Sequence, residues 1–593
     1  MKEATDVLVH RGPDQQGTYQ SKYISLGAVR LKILDMTSGG QPMVSEDGNL
    51  ILVFNGEIYN YRELRGELES RGHRFATQCD TEVLLQAFQE WDKDCFRRLR
   101  GMFAAALWNE NERRLVLARD RVGIKPLYIS KKGEDLYFGS ELKAIFAHPE
   151  ITREIDHTAL HYYLALNYVP NPHTLVKGIE KLPPGSILEW IDGTIRQEQF
   201  WTLKFATDPA WTADSAQETL NVLHYAREYS SSRLKTFSIC FAGRSFDESH
   251  YARKVAQRYG TEHYELDLNP SLNLERAVEE MAYYSDEPFA DAGAVPLWFL
   301  SRMSRSHVTV ALSGEGSDEL FGGYATYRAD RLAEFARRVP RSVRRSLLRV
   351  LRYWPVSNEK IGLEYKVKRF VEGSLLEPDE AHTYWNGAFA RGQQEQLLLR
   401  NMDASMGDLF QCDLPGLARD GYLSRYLAFD QRYYLTDDLL QKVDRMSMAH
   451  SLEVRPPFLD HRIIEFAASL PDHLKIDGRR QKVVLKKLMS GKLPPAILKR
   501  PKTGLDIPTH DWFRGALRGM LLETLNSRAV KETKLFLPEA IHRLIADHLD
   551  QRANVGYHLW GLLILFLWIK QWNIQGSPEV EKPELVAALS ERV

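Results

Sequence analysis

The stretch SGEGSDELFGGY at 313–324 constrains this chain most. Glycines and serines there alternate with Glu315, Asp318 and Glu319. Glycine lets backbone N–H groups approach a phosphate closely. Carboxylates at such a loop suit Mg²⁺, which takes oxygen ligands and bridges phosphate oxygens. The run before it, HVTVALSG at 307–314, reads as a buried strand feeding a loop. Open α/β sheets bind ligands at that place, outside the carboxyl ends of their strands. The stretch therefore points to a nucleotide site. The plainer alternative is a glycine-rich turn with a solvated acidic face.

The chain has 593 residues, too many for one hydrophobic core. Its net charge of −1 gives no electrostatic case for nucleic acid. Cys79, Cys95, Cys240 and Cys412 form no CxxC pair. Neither a disulfide framework nor a zinc site is expected, and a reducing cytoplasmic location fits. The start, MKEATDVLVHRGPD, lacks the charged and apolar regions of a secretory signal. One apolar run, LWGLLILFLWI at 559–569, has eleven residues, whereas a spanning helix needs ~20. It reads as a buried helix, and no membrane span is expected. In RRVPRSVRRSLLRVLRYW (337–354), Val343, Leu347, Val350 and Trp354 recur at helical spacing with arginines on the other faces. The plain reading is a surface helix with a solvated charged face; the functional one is an anionic membrane or partner surface.

Residues 1–201 are rich in short strand patterns such as ISLGAVRLKIL, LILVFNGEIYNY, FAAALWN and RLVLARD. Helical segments intervene near Tyr61–Glu69 and Glu82–Glu90, and 182–201 reads as a closing hairpin. This is an α+β, sheet-rich domain. A linker is expected over about 202–215. From there TFSICF (236–241), a helix, EHYELDL (262–268), a long helix and VTVALSG alternate as in a parallel α/β sheet. Residues beyond 325 read as mostly helical.

Five motifs occur in order in the first domain: HRGPD (10–14), RLKILD (30–35), NGEIYNY (55–61), CDTE (79–82) and RDRVGIKPLY (119–128). Together they resemble the glutamine amidotransferase domain of the N-terminal-nucleophile type. With SGEGSDE behind them, nearly the whole chain resembles the glutamine-hydrolysing asparagine synthetase family. The resemblance implies two domains. Residues 1–201 would be a four-layer α/β/β/α amidotransferase. Residues 202–593 would be an adenine-hydrolase-like parallel α/β domain with a helical C-terminal extension. It implies ATP-dependent amidation of aspartate through an acyl-adenylate, with ammonia drawn from glutamine. ATP and Mg²⁺ would take part, and a homodimer is the assembly it allows.

By the same resemblance, Arg30 would hold the α-carboxylate of glutamine, for which a planar fork is suited. Asp80 would take the α-amino group, and Asn55 and Gly56 would form the oxyanion hole. Ile239 would meet adenine through its backbone, and Ser313 and Gly314 would contact the nucleotide. Asp318 would bind magnesium or pyrophosphate, Glu315 would be the general base, and Lys502 in RPKTGLDIP would stabilise phosphate charge. DDLLQKVDRMSMAHSLEVRPPFLD (437–460) is a further signature. Two departures stand out. The family's nucleophile is a cysteine directly after the initiator methionine, and position 2 here is Lys2. The family's SGGxDS pyrophosphate loop has no match between Trp211 and Thr236. A junction near Leu223–Tyr225 would remove a central strand with that loop. Residues 215–230 are then expected to be helical, with TFSICF pairing to 262–268 or 307–312. An impaired enzyme is expected. The alternatives are an inactive partner of an intact paralogue, or an amidotransferase for another carboxylate such as a surface-polysaccharide precursor.

Overall fold

Alternation of side chains along three central strands builds the first domain in layers. In this computed structural model the described residues are 1–212, 233–241, 247–268, 273–356, 362–400, 405–413, 422–500, 504 and 507–576. In chain order the first strands are β1 (Gln15–Gln20), β2 (Ser25–Arg30), β3 (Met43–Val44), β4 (Leu50–Ile58), β5 (Gly101–Asn109) and β6 (Arg114–Arg119). They are followed by β7 (Tyr128–Lys132), β8 (Asp135–Gly139), β9 (Glu180–Lys181), β10 (Ser186–Ile191) and β11 (Thr194–Gln199). An antiparallel six-stranded sheet runs β11-β10-β6-β5-β4-β3, with β1-β2 and β8-β7-β9 forming smaller sheets.

The central strands are buried on both faces, which is why FAAALW reads as a continuous apolar run. Leu52, Phe54, Phe103, Ala105, Leu107, Val116 and Ala118 face one way, onto helices Tyr61–Ser70 and Asp80–Trp91 through Leu64, Leu68, Val83, Leu84 and Phe88. Ile51, Ala104, Ala106, Trp108, Leu115 and Leu117 face the other way, onto Leu26 of β2 and Leu127 and Ile129 beside and within β7. The closing hairpin is present as β10 and β11.

The second domain contains two parallel strand pairs. β12 (Lys235–Cys240) pairs with β13 (Glu262–Asp267) around the helix Ser249–Tyr259. β14 (Val310–Leu312) pairs with β15 (Glu453–Arg455). TFSICF thus has 262–268 as its neighbour, and among the described residues no ladder joins the two pairs. The expected helix at 215–230 and the junction near Leu223–Tyr225 lie outside the described residues. The region 202–212 is less free than a linker: Trp211 Nε1 donates to Ser469 Oγ (3.0 Å), and the Asp208 N–H donates to the Ser469 carbonyl (2.9 Å).

The apolar run at 559–569 forms most of the helix Gly556–Trp572, which sits inside the helical extension. Trp568 Nε1 donates to the Asp286 carbonyl (2.7 Å). No helix among the described residues is long and apolar enough to cross a membrane. The helix His157–Leu166 of the first domain belongs to this same core: Tyr163 Oη donates to the Gly561 carbonyl (2.8 Å), and the Ala388 N–H donates to the Ala165 carbonyl (2.9 Å). The outer helix layer of the first domain is therefore shared with the second.

A buried ionic seam completes the contact. Arg11 bridges Glu141 (2.9 Å) and Asp444 (2.7 Å), and Lys125 reaches Asp444 (3.3 Å). Arg445 reaches Glu141 (2.9 Å), and Lys143 reaches Glu141 (2.5 Å) and Asp286 (3.6 Å). Burial alone would push the Asp444 carboxyl up; Arg11 and Lys125 reverse this and hold it at about 2. Glu141 is likewise lowered, because Lys143, Arg445 and His10 outweigh its burial.

Removing one member of a buried ion pair strands the rest and costs about 3–5 kcal/mol. Arg445→Met is expected to lose about that much in urea unfolding, and an unchanged unfolding midpoint would contradict the seam. The pH dependence has a definite sign. A carboxyl held at about 2 in the fold, against about 3.9 in the unfolded chain, stabilises the fold above about pH 4. That contribution is expected to disappear as pH falls towards 2. The loss should be smaller in Asp444→Asn, measured by unfolding across that range.

Candidate functional site

The end of β2, the centre of β4 and the first turn of the helix Asp80–Trp91 enclose a cavity of about 120 Å³. Arg30, Asn55, Gly56 and Asp80 all line it. Four residues spread over 50 positions of sequence are thus brought to one place. Arg30 closes β2, and its guanidinium donates to the carbonyls of Ser38 (2.7 Å), Leu34 (2.9 Å) and Asp35 (3.2 Å). These bonds fix the fork and leave further N–H donors for a carboxylate.

Asn55-Gly56, a pair that often marks a hairpin turn, lies here inside a strand. A Cβ on Gly56 would stand 2.1 Å from the Met102 carbonyl oxygen and 2.7 Å from Phe103 Cα. Only glycine fits the approach of β4 to β5 at this point. Asn55 Nδ2 donates to Ser140 Oγ (3.3 Å).

Asp80 is buried and accepts the Ile58 N–H (2.9 Å). Burial pushes its carboxyl up to about 6, the Ile58 bond opposes this, and Glu453 adds to it. Glu57 is pushed up to about 9, first by burial, then by Glu453 and Asp80, against Arg455 and Lys125. Arg455 pairs with Glu57 (2.9 Å) and Glu453 (2.6 Å). Glu453 and Arg455 come from β15, so the second domain supplies one wall of the cavity. Cys79, Cys95 and Cys240 are free thiols, all three buried, and none of the three lines the cavity.

The loop after β14 begins with the Ser313 N–H donating to the Arg455 carbonyl (3.1 Å). Gly316 has φ of +87°, and a Cβ there would stand 2.3 Å from Leu459 Cδ2, so glycine is required twice over. Asp318 pairs with Lys482 (2.9 Å), whose ammonium also donates to Ser317 Oγ (2.9 Å). Glu319 turns inward: it is buried, takes the Tyr324 hydroxyl, and burial pushes its carboxyl up to about 8.

Glu315 contributes to a different group, with Asp291, Asp438 and Lys442. Lys442 pairs with Asp291. Burial alone would lower the Lys442 ammonium, and Asp291, Glu315 and Asp438 together raise it. Asp438 is pushed well up by burial and then by Asp291, with Lys442 opposing. Asp438 sits in an eleven-residue π-helix, Asp430–Leu440, a rare conformation that is frequent at functional sites. Of this group the sequence points to Glu315 alone; the 437–460 signature contains Asp438 and Lys442 without distinguishing them. The signal was the Asp438–Lys442 spacing of four on one helix; Asp291, far away in sequence, carried none.

Ile239 lies near the carboxyl end of β12 and Ser313 just past the end of β14, on strand pairs that no ladder joins among the described residues. Lys502 lies outside the described residues. No group of three or more His, Cys, Asp or Glu among the described residues is placed to hold a metal ion. Asp318 by itself suits a Mg²⁺ that takes most of its remaining ligands from phosphates and water.

Residues 221–572 match the asparagine synthase family, and residues 1–201 match the glutamine amidotransferase domain. The chain is 32% identical to asparagine synthetase [glutamine-hydrolyzing] 1 of Bacillus subtilis over 602 residues, covering 96% of this chain and 93% of that protein. It is 32% identical to a putative asparagine synthetase [glutamine-hydrolyzing] of Mycobacterium tuberculosis, covering 95% and 92%. Asparagine synthetase [glutamine-hydrolyzing] 3 of B. subtilis is 30% identical, covering 85% and 83%. On these likenesses, the chain belongs to the asparagine synthase family, with a glutamine amidotransferase domain ahead of its synthase region.

Proposed function

We propose that this chain is an ATP-dependent ligase that converts aspartate to asparagine, with a glutamine site in its first domain. The observation that carries the reading is the convergence of Arg30, Asn55, Gly56 and Asp80 on one cavity to which β15 contributes Glu453. Arg455, also on β15, holds the start of the nucleotide loop through its carbonyl. In the cavity, Arg30 would take the α-carboxylate of glutamine and ionised Asp80 its α-ammonium. Asn55 Nδ2 and the Gly56 N–H would face the side-chain amide oxygen of glutamine, which gains negative charge only when a nucleophile adds to that amide. Cys79, Cys95 and Cys240 do not line the cavity to do so, and free ammonium is then the donor this chain would use.

At the second site a carboxylate must be activated, because it is a poor electrophile at neutral pH. Adenylation replaces a poor leaving group with AMP. Ser313, Gly314 and the Ile239 backbone would hold the nucleotide, and Asp318 and Lys502 would meet the phosphates with Mg²⁺. Ammonia would then attack the acyl carbon, Glu315 would accept its proton, and AMP would leave. The SGGxDS run has no counterpart between Trp211 and Thr236. Fewer N–H groups would then meet the pyrophosphate, and we infer that adenylation is slow. Losing even one preorganised donor costs about 2.7–4 kcal/mol in the transition state.

Two measurements test this. Aspartate-dependent pyrophosphate release with ammonium as donor is expected well below the ~1–10³ s⁻¹ typical of enzymes. Release at full rate would remove the inferred impairment, and release driven by another carboxylate but not aspartate would replace the substrate. Glutamine binding by calorimetry is expected to weaken at least tenfold in Arg30→Ala and Asp80→Asn, about the worth of one charged contact. In the unaltered chain, affinity should rise with pH up to about 6, where Asp80 ionises, and level off above. A pH-independent affinity would mean that Asp80 does not hold the ammonium.

A further inference from the structure

The arginine-rich segment before residue 357 is not used by either site. Residues 335–356 hold seven arginines and no Asp or Glu, in a chain whose net charge is −1. The helix Arg341–Leu351 has no buried residue. Of the nineteen large apolar side chains exposed among the described residues, eight lie between Leu332 and Trp354. Val350 is 67% exposed and Tyr353 89%.

The helix presents three faces. Arg344 donates to the Ser374 carbonyl, and Arg341 to that of Leu375 (3.3 Å). Just before the helix, Arg337 donates to the Leu376 carbonyl (3.5 Å). Cations thus meet the carbonyl end of the helix Leu363–Ser374, which anchors the segment to the body. Val343, Leu347, Val350 and Trp354, spaced four, three and four, form a second face that is exposed. Arg345, Arg349 and Arg352 form the third. Neither they nor Arg338 have a carboxylate partner among the described residues. A merely solvated charged face would not expose a row of aliphatic residues held in register beside it.

We propose that this helix docks on an anionic lipid bilayer surface, lying in the interface without crossing it. An apolar face ending in aromatic residues, with arginines on the polar face, is the pattern of an interfacial helix. Each nearby arginine adds attraction to anionic headgroups. A second copy of the chain is disfavoured as the occupant. A two-fold contact would bring Arg338, Arg345, Arg349 and Arg352 of one copy towards the same four of the other.

The test is co-sedimentation of the full chain with vesicles of phosphatidylcholine alone or mixed equally with phosphatidylglycerol. Binding is expected to the mixed vesicles only, and to fall at about 1 M salt, where the Debye length is ~3 Å. R345E/R349E/R352E is expected to lower partitioning about 100-fold. L347Q/V350N is expected to lower it at least tenfold, since about two or more buried CH₂ groups would be lost. All five residues are exposed or nearly so, and the thermal midpoint should stay unchanged. Equal binding to both vesicle types, no binding to either, or full binding by L347Q/V350N overturns the proposal. A dimer that L347Q/V350N dissociates, without vesicle binding, assigns the face to a second copy and overturns it as well.

Discussion

Charge buried between the two domains is what the rest of the structure depends on. Arg11, Lys125, Glu141 and Lys143 on one side meet Asp286, Asp444 and Arg445 on the other, away from water. No member has solvent to fall back on, so each must be satisfied by the others. Such a seam contributes little net stability relative to an apolar one, but it is unforgiving of misplacement. It sets β15 against the cavity wall, because Asp444 and Arg445 lie on the helix Gln441–Met448 that leads into that strand.

Arg455 shows what this placement achieves. Its side chain pairs with Glu57 at the cavity, while its carbonyl receives the N–H that opens the 313–318 loop. One residue therefore ties Glu57 of the cavity to the loop that follows β14, and a shift of β15 would be felt at each. The carboxylates of Glu57, Asp80 and Glu453 crowd the same wall. The result is two groups pushed well above their ordinary range, Asp80 to about 6 and Glu57 to about 9. Groups so displaced in a concave site are those expected to bind or move protons.

Much of this was legible in the sequence, for reasons that differ by element. FAAALW announced a strand buried on both faces, and TFSICF and EHYELDL a parallel pair, because local pattern and final environment agree there. Arg30, Asn55, Gly56 and Asp80 were legible only as parts of ordered motifs; each alone is an ordinary polar residue. Asn55-Gly56 would on its own suggest a turn, and what holds it in a strand is the backbone of Met102 and Phe103, 46 or more positions away. Glu453, Arg455, Asp291 and Lys442 were not singled out, since a charge in sequence looks solvated until its distant partner is known. The helix His157–Leu166 was not assigned to the second domain's core, because burial on all sides leaves no amphipathic stripe to read. For 337–354 the amphipathic pattern was legible, whereas the exposure of its apolar face is a property of the tertiary structure.

The central claim is that the ionic seam makes the two domains one cooperative unit around β15. Differential scanning calorimetry of the intact chain at neutral pH tests it most directly. A single endotherm, with calorimetric and van't Hoff enthalpies in agreement, is the expected result. Splitting into two transitions should then follow only when the seam is broken. Two separate transitions in the unaltered chain at neutral pH would contradict the account.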